Sequence, residues 1–289
     1  MRKYGTTALL AIVFVLVLTG LRSRQSDETE STAALSQPMA VPDASGDGSG
    51  HRDAAAQPEE GSLPEGLEIP RYESSRGGQI IHHTGFTLSY DADFKTPGWV
   101  AWQLTAQEAE GEEPRAKSFR PDPDVRGAKA YSEDYSHSGY DRGHMAPAAD
   151  MKWSAQAMEE SFYMTNVCPQ NRNLNRGDWK DLEELEREWA TRYGAVCIVA
   201  GPLYETKNPK RIGNHRVAVP DGFFKMLLVG NTSQPKAYGF VFKNEAGSRP
   251  LTDYQHTVDE VEELTGMDFF PALPDEVEQR VEAEMPALR

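Results

Sequence analysis

Four consecutive residues, Asp141-Arg142-Gly143-His144, put a carboxylate, a planar cation and an imidazole into one short stretch. Neutral imidazole is available as a base near pH 7. A guanidinium offers a fork of donors that matches phosphate. Gly143 allows a tight backbone path and close approach of a substrate, and Asp141 can orient a neighbour or anchor the turn. Alone, the tetrapeptide does not separate a catalytic histidine from a structural one. The run Asn171-Arg172-Asn173-Leu174-Asn175-Arg176-Gly177-Asp178-Trp179 follows downstream, and then Glu183. Mg²⁺ usually keeps several waters and takes only one or two protein oxygens, so the Asn175 carbonyl near a helix start can be its single direct ligand. Glu183 stands about two helical turns further on, where it can accept hydrogen bonds from metal-bound water. Cleaving a phosphodiester needs these parts: a base for water, positive charge on the phosphorus oxygens and a stabilised leaving oxygen. The plainer readings are an Asn-rich turn and a solvated helix face, of which Glu184, Glu186 and Glu188 are ready examples.

These residues need a scaffold. Phe86-Thr87-Leu88-Ser89-Tyr90 alternates as a half-buried strand. Trp99 to Leu104 reads as a second strand after the Pro97-Gly98 turn, and 105–116 as a charged loop. Trp179, Leu182, Leu185, Glu186 and Trp189 recur at helical spacing, with Asp178 and Asp181 near the helix start. Val196 to Ala200 predicts a buried strand ended by Gly201-Pro202. Phe223 to Val229 and Ala237 to Phe242 predict further strands, and Val258 to Leu264 a short helix stopped by Gly266. The mix implies one α+β domain over about 70–275.

The formal net charge of −15 argues against tight polyanion binding through bulk charge. Its distribution matters more. Residues 1–70 hold 5 Lys+Arg against 10 Asp+Glu and 251–289 hold 2 against 11, which leaves 23 against 24 in between. The central domain is thus nearly neutral, and local basic loops could hold a polyanion transiently. Arg2, Lys3 and the apolar run Ala8 to Leu18 form the pattern of an export signal or an N-terminal membrane anchor over 1–26. That pattern predicts a periplasmic, extracellular or membrane-anchored protein in preference to a mitochondrial one. Residues 27–69, rich in Ser, Ala, Gly, Pro, Asp and Glu, read as a disordered linker, and 276–289 as an acidic tail. Cys168 and Cys197 allow one disulfide at most and read as two buried thiols.

Three motifs together become specific. Asp141-Arg142-Gly143-His144-Met145-Ala146-Pro147, then Asn166-x-x-Pro169-Gln170, then Asn175-x-Gly177-x-Trp179-x-x-Leu182-Glu183 resemble the DNA/RNA non-specific endonuclease family in order and spacing. Tyr90 to Leu104, Phe119-Arg120-Pro121-Asp122-Pro123, Gly201-Pro202-Leu203-Tyr204, Val219-Pro220 with Phe224-Lys225, and Thr265-Gly266-x-Asp268-Phe269-Phe270 extend the likeness over about 70–275. The resemblance implies a ββα-metal (His-Me finger) fold, with a mainly antiparallel sheet flanked by helices. It implies that His144 is the base, that Asn175 is the direct Mg²⁺ ligand (Mn²⁺ being a substitute), and that Glu183 holds the metal's water shell. Arg142 and Asn166 then support phosphate or site geometry. The substrates would be DNA and RNA, the products 5′-phosphate and 3′-hydroxyl ends, and a homodimer is compatible. Where some members place an Arg near the Phe-Arg-Pro-Asp-Pro segment, Lys117 and Arg120 are the local candidates for substrate binding. Lys does not replace a bidentate Arg without loss.

Two other readings compete. The near-neutral core suits a phosphodiesterase or pyrophosphatase acting on small nucleotides. The acidic ends and linker suit a non-catalytic, surface-tethered binding module.

Overall fold

The computed structural model describes residues 66–72, 78–230 and 234–288; the segment expected to be a signal or anchor (1–26) and nearly all of that expected to be a linker (27–69) lie outside the described residues. Along the chain run β1 (Gln79–His82), β2 (Thr87–Asp91), β3 (Thr96–Thr105), α1 (Ala106–Ala109), β4 (Asp141–His144), α2 (Ala155–Ser161), β5 (Val167–Gln170), α3 (Arg172–Arg176), α4 (Asp178–Tyr193), β6 (Ala195–Leu203), β7 (Arg211–Ile212), β8 (Val217–Ala218), β9 (Gly222–Val229), β10 (Lys236–Lys243), β11 (Gln255–His256), α5 (Val258–Thr265) and α6 (Asp275–Ala283).

Seven strands form one antiparallel sheet in the order β1-β2-β3-β6-β9-β10-β11. Both faces are covered. Alternate residues of β3 and β9 divide between two cores: Val100, Trp102, Leu104, Phe223 and Leu227 join Trp179, Leu182 and Trp189 of α4, while Trp99, Ala101, Phe224, Met226 and Leu228 join Val258 and Val261 of α5. A sheet buried on both faces reads as apolar runs without polar alternation, and β9 is buried at every position. Cys168 and Cys197 are both free and buried, as the composition implied.

Three local expectations are corrected. The predicted loop from 105 opens with α1, because Thr105 and Glu108 form a reciprocal capping box that satisfies the first turn. Strand β6 does not stop at Gly201-Pro202 but continues to Leu203. Its pairing with β3 ends at Ala200, so Pro202 has only β9 beside it and its missing N–H breaks no ladder. The segment read as an acidic tail contains most of α6, whose Val281 is buried in the second core.

The site stands on a smaller unit. Strands β4 and β5 pair antiparallel, with His144 opposite Val167, and lead through α3 into α4. Asn171 caps α3 by accepting from the amides of Asn173 and Leu174. Gly177 separates the two helices, and a Cβ there would meet the Asn173 carbonyl oxygen at 2.8 Å. Helix α4 ends at Gly194, whose φ of 91° suits a residue without Cβ.

Candidate active site

Asp141 to His144 form β4, an extended strand with no tight turn. The glycine is required for packing. A Cβ on Gly143 would lie 2.6 Å from Cβ of Gln170 on the paired strand, so the close neighbour is Gln170 and not a substrate.

His144 is 9% exposed, and its Nε2 is buried without a hydrogen-bond partner. Its ring packs against Phe119 and Phe162, each at a centroid distance of 5.0 Å. Burial, and then the charge of Arg115, push its pKa from 6.5 down to about 3, so the imidazole is neutral. Asn166, fully buried, fixes the backbone just after it. Its Oδ1 accepts from the Ala146 amide at 2.9 Å, and its Nδ2 donates to the carbonyls of Ala146 and Ser161. All of this side chain's bonds go to backbone, so Asn166 shapes the site and does not line the groove.

His144 faces a groove of about 940 Å³. Asn175 and Glu183 line the same groove, so three of the positions singled out by sequence meet in space. Six cations line it against two carboxylates, which places positive charge locally in an acidic chain. Arg142 donates to the Ser132 carbonyl and lies over Tyr135 and Phe119, each at 5.7 Å, while its Nε is buried without a partner.

Asp141 organises the helix side. It accepts from Arg176 Nε at 2.9 Å, Arg172 Nε at 3.3 Å and Asn175 Nδ2 at 3.4 Å. Burial alone would raise this carboxyl, but the bonds from Arg176, Asn175 and Arg172 hold it below the ordinary range. Because the Asn175 amide donates to Asp141, its carbonyl oxygen remains available as an acceptor.

Glu183 is half-buried, and burial lifts its carboxyl to about 7 against the pull of Lys225 and Arg187. Behind it lies a charged layer. Lys225, fully buried, meets Glu186 at 3.1 Å and the Trp179 ring at 4.5 Å, and Arg187 meets Asp150 at 2.9 Å. The reading of Glu186 as part of a solvated face is therefore corrected, since it sits on the core face of α4.

The remaining candidates fall elsewhere. Lys117 is exposed, and Arg120 is paired with Glu159 at 2.5 Å; neither lines the groove. Arg115 does line it, with its guanidinium 4.9 Å from the Phe162 ring centre, and sequence reasoning missed it. It was hidden in the acidic stretch before Phe119, where only the chain path shows which cation turns inward. That path is set by the Glu113 amide bonding to Lys152 O, and by Gly111, where a Cβ would meet the Lys152 carbonyl carbon at 2.3 Å.

A paired β-hairpin that feeds a helix, with a histidine on the strand and an amide and a carboxylate on the helices, is the ββα arrangement. The comparisons agree. Residues 64–276 match the family described as DNA/RNA non-specific endonuclease, and the chain belongs to that family, a class of hydrolases that cut nucleic acid internally. It is 39% identical over 213 residues to the mitochondrial nuclease EXOG of Danio rerio (68% of this chain, 62% of the relative) and 38% identical over 214 residues to that of Homo sapiens (68% and 58%). It is 31% identical over 218 residues to mitochondrial endonuclease G of Homo sapiens (71% and 73%). The chain thus spans about three fifths of the EXOG relatives' length. Among solved structures, an EndoG/EndoGI complex matches with a TM-score of 0.64 and 30% identity, covering 68% of this chain and 86% of that one.

These relatives overturn the exported location expected from the N-terminus, because they are mitochondrial nucleases. Among the described residues no helix is long and apolar enough to cross a membrane.

Proposed function

We propose that this chain hydrolyses internal phosphodiester bonds of both DNA and RNA, with His144 as the general base. The observation that carries this reading is a neutral His144 that lines a cation-rich groove together with Asn175 and Glu183. A neutral imidazole without a protein partner is free to accept a proton from water. A phosphodiester drawn in beside Arg115 brings the opposite charge and raises the proton affinity of the ring when substrate binds. Arg142 and Arg115 are placed to donate to phosphate oxygens.

The donor set fits a hard divalent cation. Asn175 offers a carbonyl and Glu183 a carboxylate, both oxygen donors. Among the described residues no cluster of three or more His, Cys, Asp or Glu gathers in this groove, which suits a cation that keeps most of its water. Asn175 would hold Mg²⁺, or Mn²⁺ in its place, with Glu183 accepting from its waters. When bound, that ion would supply charge neutralisation and leaving-group stabilisation. Protonation of the departing 3′ oxygen leaves 5′-phosphate and 3′-hydroxyl ends.

The test is direct. Full-length chain is incubated with supercoiled plasmid and with RNA, in Mg²⁺ and in EDTA. Cutting of both polymers in Mg²⁺ alone is expected. Failure to cut either in Mg²⁺ or Mn²⁺ rejects the reading. Cleavage inside a closed circle separates it from an activity confined to small nucleotides.

A further inference from the structure

Beyond the groove, a second group of cations gathers at one place in the fold. The β7–β8 hairpin and the β2–β3 turn beside it bring together Lys95, Lys210, Arg211 and Arg216. Among the described residues none of the four has an ion pair with a carboxylate. Other cations of this acidic chain, such as Arg71 with Asp268 and Arg120 with Glu159, are paired with carboxylates.

The hairpin is held in place by backbone and by buried groups. Asp134, buried, accepts from the His215 amide and faces its Nδ1, both at 3.0 Å. Gly213, at φ 67°, presses on Asp134, where a Cβ would fall 2.3 Å from the Asp134 Cβ. The Ala218 amide donates to the Phe94 carbonyl at 2.9 Å. Arg211 donates to the carbonyls of Asp93 and Arg216 and lies 5.3 Å over Phe94. The Arg211 guanidinium is therefore held near Arg216 and Lys95 by contacts to neutral carbonyls and a ring. Lys95 registers the crowding. Burial, then Arg211 and Arg216, lower its pKa, against the pull of Asp93 and Asp134.

The group is continuous with the catalytic groove. Lys210 Nζ lies 3.3 Å from the Tyr140 hydroxyl and 4.9 Å from its ring centre, and Tyr140 lines the groove. On the far side, Arg211 and Lys207 border a cavity of about 620 Å³ floored by Phe94, Tyr72 and Tyr204. Asp93 and Glu205 also line it, so the anion-attracting part is the hairpin and not the cavity as a whole.

We propose that the β7–β8 hairpin is a second phosphate-binding surface, which holds the backbone of the same nucleic-acid chain where it leaves the cleavage groove past Tyr140. The proposal rests on the nuclease reading and extends it from one scissile bond to a tract of polymer. A cluster of cations without carboxylate ion pairs is the expected footprint of a polyanion, since each phosphate neutralised releases counterions and gives binding its salt dependence. The inference also explains how a chain with net charge −15 retains a long substrate: cations gather locally at the groove and at this hairpin.

The experiment uses full-length chain carrying Lys210→Glu with Arg216→Glu. Binding of a labelled duplex of about 30 base pairs is followed by anisotropy in EDTA across a salt series, and kcat/KM is measured in Mg²⁺ on that duplex and on a dinucleotide. Removing two phosphate contacts is expected to lower the salt slope by about 2 and weaken binding about tenfold at low salt. The ratio of kcat/KM for long over short substrate falls correspondingly. Lys210→Arg with Arg216→Lys is expected to retain the parental slope. If the reversed pair unfolds, as read by thermal melting, Lys210→Gln with Arg216→Gln gives the same readout at smaller amplitude. Parental affinity and slope in folded reversed or neutral variants overturn the hairpin proposal while plasmid cleavage stands. Absence of cleavage by the unaltered chain rejects the nuclease reading itself, and the hairpin proposal with it.

Discussion

Asp141 accepts a hydrogen bond from the side-chain amide of Asn175 at 3.4 Å, across the junction of β4 and α3. The bond ties the strand that ends in His144 to the helix that presents the candidate metal ligand. It also fixes which end of the amide is left over, since the nitrogen is turned to Asp141. Removing the acceptor should let the amide rotate. Partners that orient a ligand typically change metal affinity 10–100-fold when lost. Asp141→Ala is therefore expected to weaken Mg²⁺ affinity by about that factor, with activity partly restored at high Mg²⁺. Calorimetric titration that gives an unchanged Kd would exclude the orienting role.

His144→Ala should cost about 10²–10⁴-fold in turnover, the usual contribution of a general base. The same variant has a stability signature. His144 has a folded pKa of about 3 against an ordinary 6.5, so the unfolded chain binds the proton first as pH falls. Its contribution is fully present above pH 6.5 and is lost progressively down to about 3. The parent should thus lose more melting temperature between pH 7 and pH 5 than His144→Ala does. Equal losses in the two proteins would show that the ring is not held neutral.

Much of the site could be read before the fold. Residue type and order placed His144, Asn175 and Glu183 together, because β5, α3 and α4 are consecutive in sequence and β5 pairs directly with β4. What stayed hidden depends on long-range packing. Arg115 enters the groove from a loop fixed by Lys152. Glu186 shares its spacing with Trp179, Leu182 and Trp189, but its charge resembles that of solvated Glu184 and Glu188, and its partner on β9 explains its place in the core. A signal did exist: Lys225 interrupts the apolar run Phe223 to Val229, and a lysine in a strand buried on both faces needs a countercharge. The α1 cap was also legible as Thr105-x-x-Glu108.

The substitution of Arg115 for Lys117 and Arg120 as the groove cation is testable by contrast. A hydrogen bond to a charged group contributes about 1.5–3 kcal/mol, or roughly 10–100-fold. Arg115→Ala should lower kcat/KM on plasmid by that factor. Arg120→Ala removes an exposed pair with Glu159, the kind that contributes about 0–1 kcal/mol, and a stack on Tyr163 outside the groove, and should change kcat/KM little. A larger effect from Arg120 than from Arg115 would return substrate binding to the position expected from sequence.

The Lys225–Glu186 pair makes a prediction of its own, because both side chains are fully buried and 3.1 Å apart. Breaking such a pair from one side strips Glu186, whose carboxyl pKa burial already lifts to about 8, of its countercharge, and costs up to about 3–5 kcal/mol. For a domain of this size that corresponds to a loss of roughly 10 °C in Tm. Lys225→Met should show that loss. The methionine keeps the contact with Trp102 and Trp179 that the lysine stem makes, so the deficit reports charge and not volume. Adding Glu186→Gln removes the stranded carboxylate and should recover most of the stability. Glu183 supplies the functional arm of the test. Lys225 is the cation that opposes the burial of its carboxyl, so the double variant should melt near the parent yet bind Mg²⁺ more weakly. A double variant that regains stability and full metal affinity would show that Lys225 serves the core alone.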